Sequence, residues 1–400
     1  HPMNDKKFDF YIDLGSSKIR AAAFNKFDKN EKIIVEKNNI LSLKKKQLNF
    51  FETEKVIEDI VYELEKKTKI YMNNISLMLD TSDSLSISLS ISKKNDGKLI
   101  EKKDIQYLIQ DAKQQILKFY PDQNIIHIII MNYKINNKDY DYLLDNIKCK
   151  IISIEIFFIC FPKILIKNLE NLFQKKQISI NKFLCSSYTK SLHYKEQFPT
   201  FEKIAFIDIG YEKTSIVIYE KDKLKALNVL AIGGNHITKD ISNILNLDIE
   251  KSEMIKNNLN KDILFSEKNG TDKIFQSGFS IQANKKNISP ELIKKIIFAR
   301  IDEILKLCFN TIKGYENLND FNRLKVVLTG DGSKILDNNL IHIKETVPLF
   351  EEIDFLIETG VNICESGLKL SKGLNKQEVL IVPKKIVTNG FFERLFHFFS

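Results

Sequence analysis

The chain has 400 residues, 43% of them hydrophobic, which exceeds one ordinary domain and predicts roughly two to four domains or lobes. A net charge of +9 would suit nucleic acid, but Arg20, Arg300, Arg323 and Arg394 are its arginines. Its lysines are scattered among Ile and Asn, with neither a basic stripe nor an aromatic platform, so nucleic-acid binding is not expected. No segment is apolar for the length of a spanning helix.

His1 and Pro2 precede Met3 and are left out of the fold reading. Asn4-Asp5-Lys6-Lys7 contains no apolar signal-peptide core, so a cytoplasmic location is expected. An apolar strand from Phe8 then ends in Asp13-Leu14-Gly15, followed by the polar turn Ser16-Ser17-Lys18 and a second strand through Ala21-Ala22-Ala23-Phe24. Lys32 to Ile40 supplies a third apolar stretch, and a further strand is expected at 75–79.

Residues 82–161 read as a small α/β unit. Within it Leu85, Ile87, Leu89 and Ile91 alternate with serines as in a half-buried strand. Ile105, Leu108, Ile109, Ala112 and Ile116 recur at helical spacing, and Ile125–Met131 and Ile147–Ile159 predict more strands. A helix is expected near 163–175.

The opening pattern then returns. Ile204 to Ile209 is an apolar strand containing Asp208 and closed by Gly210; Tyr211-Glu212-Lys213-Thr214 forms the turn, and Ser215 to Tyr219 the second strand. Leu224 to Ile232 again gives a third stretch, broken by Gly233-Gly234 before a helix containing Asn235 and His236. Ser289-Pro290-Glu291 is a strong helix start, with Ile293, Ile296, Ile297, Ile301, Ile304 and Leu305 as its core stripe and Arg300 beside it. Finally, Leu324 to Thr329 is a buried strand running into Gly330-Asp331-Gly332-Ser333.

Two matching strand-turn-strand units predict two similar domains facing each other across a cleft. Glycine-led turns expose backbone N–H groups that cradle phosphate, and Asp13 and Asp208 at the strand ends could hold Mg²⁺ through its waters. The glycines of the third turn let backbone approach a ring or a phosphate closely. The five cysteines, odd in number and widely spaced, read as reduced core residues. His127, His193, His236 and His342 show no ligand spacing and read as structural, with His236 near the nucleotide.

The order of these loops resembles the actin, chaperone and sugar-kinase superfamily, and within it the chain is most similar to the FtsA family. Asp13-Leu14-Gly15-Ser16-Ser17-Lys18 is similar to that family's Asp-Ile-Gly-Thr-Thr-Lys. Gly233-Gly234-Asn235-His236-Ile237-Thr238-Lys239-Asp240-Ile241, followed by Glu253-Met254-Ile255-Lys256, is similar to its Gly-x-x-x-Ile-Thr-x-Asp-Ile and Glu-x-Ile-Lys.

The resemblance implies an α/β, actin-like fold of duplicated ribonuclease-H-like domains around a nucleotide cleft, with two small inserts and a C-terminal amphipathic helix. Its domains would be IA at 4–81 and 162–200, IC at 82–161, IIA at 201–244 and 313–383, and IIB at 245–312. ATP and Mg²⁺ would be bound by Asp13, Gly15, Ser16, Ser17, Lys18, Asp208, Gly210 and Thr214, by Gly233, Gly234 and Asn235, and by Gly330, Gly332 and Ser333. Glu253 and Lys256 would reach the ribose. The implied partners are other copies in a filament, the C-terminal peptide of FtsZ at domain IIB, other division proteins at domain IC, and an anionic membrane. The implied place is the inner face of the cytoplasmic membrane at the division site.

Arg300 is the candidate contact for a peptide carboxylate, because an arginine in so lysine-rich a chain suggests a bidentate contact. The second phosphate loop departs from the family's glycine run, and Asp331 stands where a glycine is common, so ATP binding with slow turnover at most is expected.

The tail, 384–400, is a polar linker followed by Phe391, Phe392, Leu395, Phe396, Phe398 and Phe399 on one broad helical face. It is too short to span a bilayer and suits lying in its surface. Such side chains contribute about 1.5–3 kcal/mol each when fully buried. Partial immersion of the set gives a weak, reversible anchor that polymerisation would multiply. A pilus-assembly adaptor resembling PilM, which shares the 82–161 insert but not the tail, is the alternative; a small-molecule kinase of the superfamily is a weaker one.

Overall fold

The computed structural model describes residues 7–39, 50–144, 146–258, 289–312, 324–336 and 350–379. Strands β1 (Phe8–Leu14), β2 (Lys18–Asn25) and β3 (Lys32–Asn38) form an antiparallel meander in which Asp13 pairs with Arg20 and Ile12 with Ala21. After helix α1 (Phe50–Thr68), strand β4 (Asn74–Leu79) lies parallel to β1.

The chain next builds the 82–161 unit as an antiparallel sheet of β5 (Leu85–Lys94), β6 (Gln123–Ile135), β7 (Lys138–Tyr140) and β8 (Ile151–Pro162), in the order β5-β8-β6-β7. Helix α2 (Lys102–Phe119) covers it through buried Ile105, Leu108, Ala112 and Ile116, the spacing anticipated from sequence. Its first turn is fastened by Asp104, whose carboxylate accepts the Glu101 N–H at 2.9 Å. Helix α3 (Lys163–Gln174) returns to β9 (Ser179–Cys185), parallel to β4, and α4 (Ser186–Tyr194) follows. The first sheet therefore runs β3-β2-β1-β4-β9.

The second sheet repeats this plan. Strands β10 (Lys203–Ile209), β11 (Thr214–Glu220) and β12 (Lys223–Leu230) form the meander, with Asp208 opposite Ser215. Helices α5 (Gly234–Leu245), α6 (Ile249–Asn258) and α7 (Pro290–Asn310) follow. Then β13 (Leu324–Thr329) joins β10 in parallel and β14 (Phe350–Phe355) joins β13. The order is β12-β11-β10-β13-β14, which matches the first sheet position for position.

Helix α7 begins as its sequence indicates: the Ser289 hydroxyl accepts the Leu292 N–H at 3.2 Å, and Pro290 fills the first helical position. Its expected stripe, Ile293, Ile296, Ile297, Ile301, Ile304 and Leu305, is buried against Ile237, Ile241 and Ile255. Residues 259–288 lie outside the described residues, so of the expected 245–312 unit the structure shows helices and the turns beside them.

Helix α8 (Gly360–Ser371) crosses back to pack against β1, β2, β3 and α4, although the sequence reading grouped 313–383 with the second lobe. Ala21, Ala22 and Ala23 on β2 are fully buried, and these small side chains let both α1 and α8 pack against that strand. Beyond α8 the chain lies antiparallel along β6: the Ile130 N–H donates to Gln377 at 3.0 Å and the Val379 N–H to Ile128 at 2.8 Å.

Glu378 secures this strap, accepting from Tyr188 Oη at 2.8 Å and from His127 Nδ1 at 2.6 Å. His127 Nε2 accepts the Cys185 N–H at 2.9 Å, so its proton sits on Nδ1 and points at Glu378. All five cysteines are buried and unpaired. Among the described residues no helix is long and apolar enough to cross a membrane. The expected amphipathic helix with Phe391, Phe392, Leu395, Phe396, Phe398 and Phe399 lies outside them.

Candidate functional site

The corresponding ends of the two sheets face a polar cavity of about 90 Å³ between the lobes. Seven anticipated residues line it: Asp13, Gly15, Ser16 and Ser17 from the first turn, Asp208 and Gly210 from the second, and Gly330 from the third. Small-molecule sites typically hold roughly 300–1,000 Å³. The lobes are thus drawn together, and a nucleotide-sized ligand requires them to part.

Close backbone packing explains the glycines. Gly330 has φ +90°, and a Cβ there would stand 2.3 Å from Asp208 Oδ1. A Cβ on Gly233 would stand 2.6 Å from the Gly210 carbonyl. The N–H groups of Gly234 and Asn235 donate to the carbonyls of Gly210 and Tyr211 at 2.9 and 2.7 Å, so the start of α5 is capped by the second loop. Across the cleft the Glu212 N–H donates to Ser16 Oγ at 3.3 Å, and Lys213 Nζ to the Asp80 carbonyl at 2.7 Å.

Other expected ligands are placed away from the cavity. Thr214 is fully buried and its hydroxyl donates to the Ile232 carbonyl at 2.7 Å. Ser333, also fully buried, donates to the carbonyls of Thr329 and Gly330, and Gly332 packs on Ile209. Lys256 folds onto α5, donating to Gly234 O at 3.0 Å, Thr238 Oγ1 at 2.8 Å and Glu253 Oε2 at 2.7 Å. Burial holds its ammonium below the usual lysine range, against the pull of Glu253. The Tyr211 ring stands 5.5 Å from that ammonium, and burial, then Glu253, pushes the Tyr211 hydroxyl up. Gly233, Gly234, Asn235, Glu253 and Lys256 thus form one cluster beside Tyr211. His236 Nδ1 accepts the Gly233 N–H at 3.2 Å; burial first, then Lys239 and Arg300, lower its pKa.

Of the residues that line the cavity, the sequence reading did not single out Arg20, Asp80, Lys190 or Glu358. Arg20 lies 3.7 Å from Asp13, 3.5 Å from Glu36 and 3.3 Å from Asp331. Lys18, an anticipated ligand on the same strand, lies 3.1 Å from Glu36 and 3.9 Å from Asp331. Asp331 also holds Lys334 at 2.6 Å; burial would raise its carboxyl, but Lys334, Arg20 and Lys18 together hold it below the usual range. Lys190 on α4 donates to Asp208 and lies 3.1 Å from Glu358 Oε2. Burial would lower its pKa, but Asp208 and Glu358 outweigh that and raise it well above the usual lysine value. Asp80 accepts from the N–H and hydroxyl of Ser187 at 3.0 and 2.9 Å, and burial raises its pKa.

The strand-end aspartates, as arranged, do not fit Mg²⁺. Asp208 is taken by an ammonium, while Asp13 accepts from Ser186 Oγ at 2.8 Å and faces Arg20. Among the described residues no group of three or more His, Cys, Asp or Glu side chains is placed to hold a metal. Arg300 does make a bidentate contact, but to the chain's own Asp240, at 2.5 and 2.8 Å, with Glu303 at 2.7 Å.

The family model for the cell division protein FtsA matches residues 205–363. A cell division protein FtsA of Agrobacterium fabrum is 23% identical over 267 residues, covering 66% of this chain and 58% of its own length. One from Buchnera aphidicola (subsp. Schizaphis graminum) is 23% identical over 314 residues, covering 77% and 69%. Among solved structures, a PilM-PilN type IV pilus biogenesis complex superposes with a TM-score of 0.57 at 12% identity, covering 92% of this chain and 94% of that one. The structural likeness shows a shared fold, the actin-like one.

Proposed function

We propose that this chain, which is similar to the FtsA family and has an actin-like fold, is an ATP-binding cytoskeletal protein that polymerises on the inner face of the cytoplasmic membrane and anchors FtsZ filaments for cell division. The observation that carries this reading is the duplicated sheet. Two units of identical strand order bring their glycine turns to one polar cavity, and Lys18, Arg20, Lys213 and Lys334 supply positive charge around it. Phosphate oxygens would exchange with Asp331 on Lys18 and Arg20 as the lobes part. Tyr211, held against Lys256, and Lys213, reaching across to Asp80, make the second loop bulkier than a glycine run. Hydrolysis is therefore slow or absent.

Arg300 is the proposed contact for an acidic FtsZ peptide, whose carboxylate would compete with Asp240 and Glu303 for the guanidinium. The 82–161 unit is the proposed surface for other division proteins. The phenylalanine-rich tail is the proposed membrane anchor, at the division site.

Co-sedimentation with anionic liposomes tests the anchor, comparing the full chain with one ending at Asn389, with and without ATP. The full chain should pellet and the shortened chain stay in solution. If neither pellets, membrane anchoring fails and a PilM-like adaptor becomes the better reading.

A further inference from the structure

Each carboxylate that lines the cleft already has a donor. Asp13 takes the Ser186 hydroxyl and faces Arg20; Asp80 takes the Ser187 hydroxyl and N–H; Asp331 takes Lys334 and Arg20. Asp208 and Glu358 share Lys190. Glu358 is further committed, accepting the Gly330 N–H at 3.1 Å and the Tyr194 hydroxyl at 2.6 Å.

Lys190 comes from α4 of the first lobe, while Asp208 ends β10 of the second. Its side chain is 9% exposed and lines the cavity, so the ammonium bridges the lobes at the strand-end carboxylate expected to serve a metal. An ion-paired lysine buried for packing would satisfy the same contacts, but Lys190 is itself among the residues that line the cavity, together with Asp208 and Glu358. Mg²⁺ requires near-octahedral oxygen ligands and keeps several waters. An ammonium bonded to Asp208 and next to Glu358 both occupies those oxygens and repels a dication.

We infer that Lys190 serves as the built-in cation of this cleft, so that the nucleotide taken here is charge-balanced by its ammonium and binds without a divalent metal. This rests on the reading of the cleft as a nucleotide site. Opening the lobes would leave Lys190 on the first-lobe wall, where it can exchange a carboxylate for a phosphate oxygen without any metal passing through the site.

The first measurement needs no nucleotide: titration of the full chain with Mn²⁺, followed by the electron paramagnetic resonance signal of the free ion. The wild type should leave that signal unchanged, whereas Lys190→Gln, which uncovers Asp208 and Glu358, should deplete it at one site per chain. Stoichiometric Mn²⁺ binding by the wild type would overturn the inference, as would a folded Lys190→Gln that takes up none. Circular dichroism establishes whether that variant is folded, and if it is not, the wild-type titration decides.

The second measurement is binding of a fluorescent ATP analogue in Mg²⁺ and in EDTA. Wild-type affinity should agree within about twofold between the two, and a loss of about tenfold or more in EDTA would overturn the inference while leaving the nucleotide site intact. If the wild type binds no analogue in either buffer, the nucleotide reading fails, and the Mn²⁺ titration still decides whether Lys190 excludes a metal.

Discussion

Asp331→Asn should loosen the lobes and tighten nucleotide binding at the same time. Asp331 sits on the second lobe and reaches Arg20 at 3.3 Å and Lys18 at 3.9 Å on the first. Hydrogen bonds to charged groups contribute about 1.5–3 kcal/mol. These contacts are long and the Asp331 side chain is 29% exposed, so solvent screening brings the inter-lobe share to about 1 kcal/mol. Arg20 keeps Asp13 and Glu36 in the variant and is not left as an unpaired buried charge. Urea unfolding should therefore show a loss of about 1 kcal/mol. A phosphate no longer has to displace that carboxylate, so equilibrium binding of an ATP analogue should strengthen by about fivefold, since 1.4 kcal/mol is tenfold. Equal or weaker binding by a folded Asp331→Asn would show that Asp331 does not compete for these cations.

Two further outcomes concern other parts of the molecule, and a third concerns the pH dependence of Asp331. Ile297→Ala empties a fully buried position on α7 and should cost about 2–5 kcal/mol in urea unfolding; a loss below about 1 kcal/mol would place the helix outside the second core. Glu378→Gln keeps the shape of the strap but weakens its hold on His127 and Tyr188. The amides of Ile130 and Val379 should exchange faster while those of β10 keep their rates. Asp331 has a depressed pKa in the fold, so its stabilisation is present above the unfolded value of 3.8 and is lost as pH falls through the lower folded value. The acid limb of the stability profile should accordingly be shallower for Asp331→Asn, and an unchanged limb would count against the pairing.

The duplicated units were legible because their information is local. Apolar strands ending in Asp-x-Gly carry their own turn, and the register pairs Asp13 with Arg20 much as it pairs Asp208 with Ser215. Helix α7 was legible for the same reason, its cap, proline and isoleucine stripe being contiguous. The pairing of the cavity's charges was not. Arg20 and Asp331 are 311 positions apart, and Lys190 reads as one lysine among many until α4 brings it to Asp208. The one local hint was its place just after a strand end at Cys185. Thr214 and Ser333 show the opposite case: residues apt for phosphate whose hydroxyls are spent on nearby carbonyls, because a buried hydroxyl takes the acceptor the backbone offers. Arg300 was read for its fork geometry, and the fork is there, closed on Asp240.

That the cleft between the two sheets is the nucleotide site is tested most directly by photolabelling the full chain with 8-azido-ATP and mapping the labelled peptides. The label should fall on peptides containing Tyr211, Gly233–Lys256 or Gly330–Leu336, and excess ATP should abolish it. Labelling confined to other peptides, or labelling that ATP does not displace, would contradict the account.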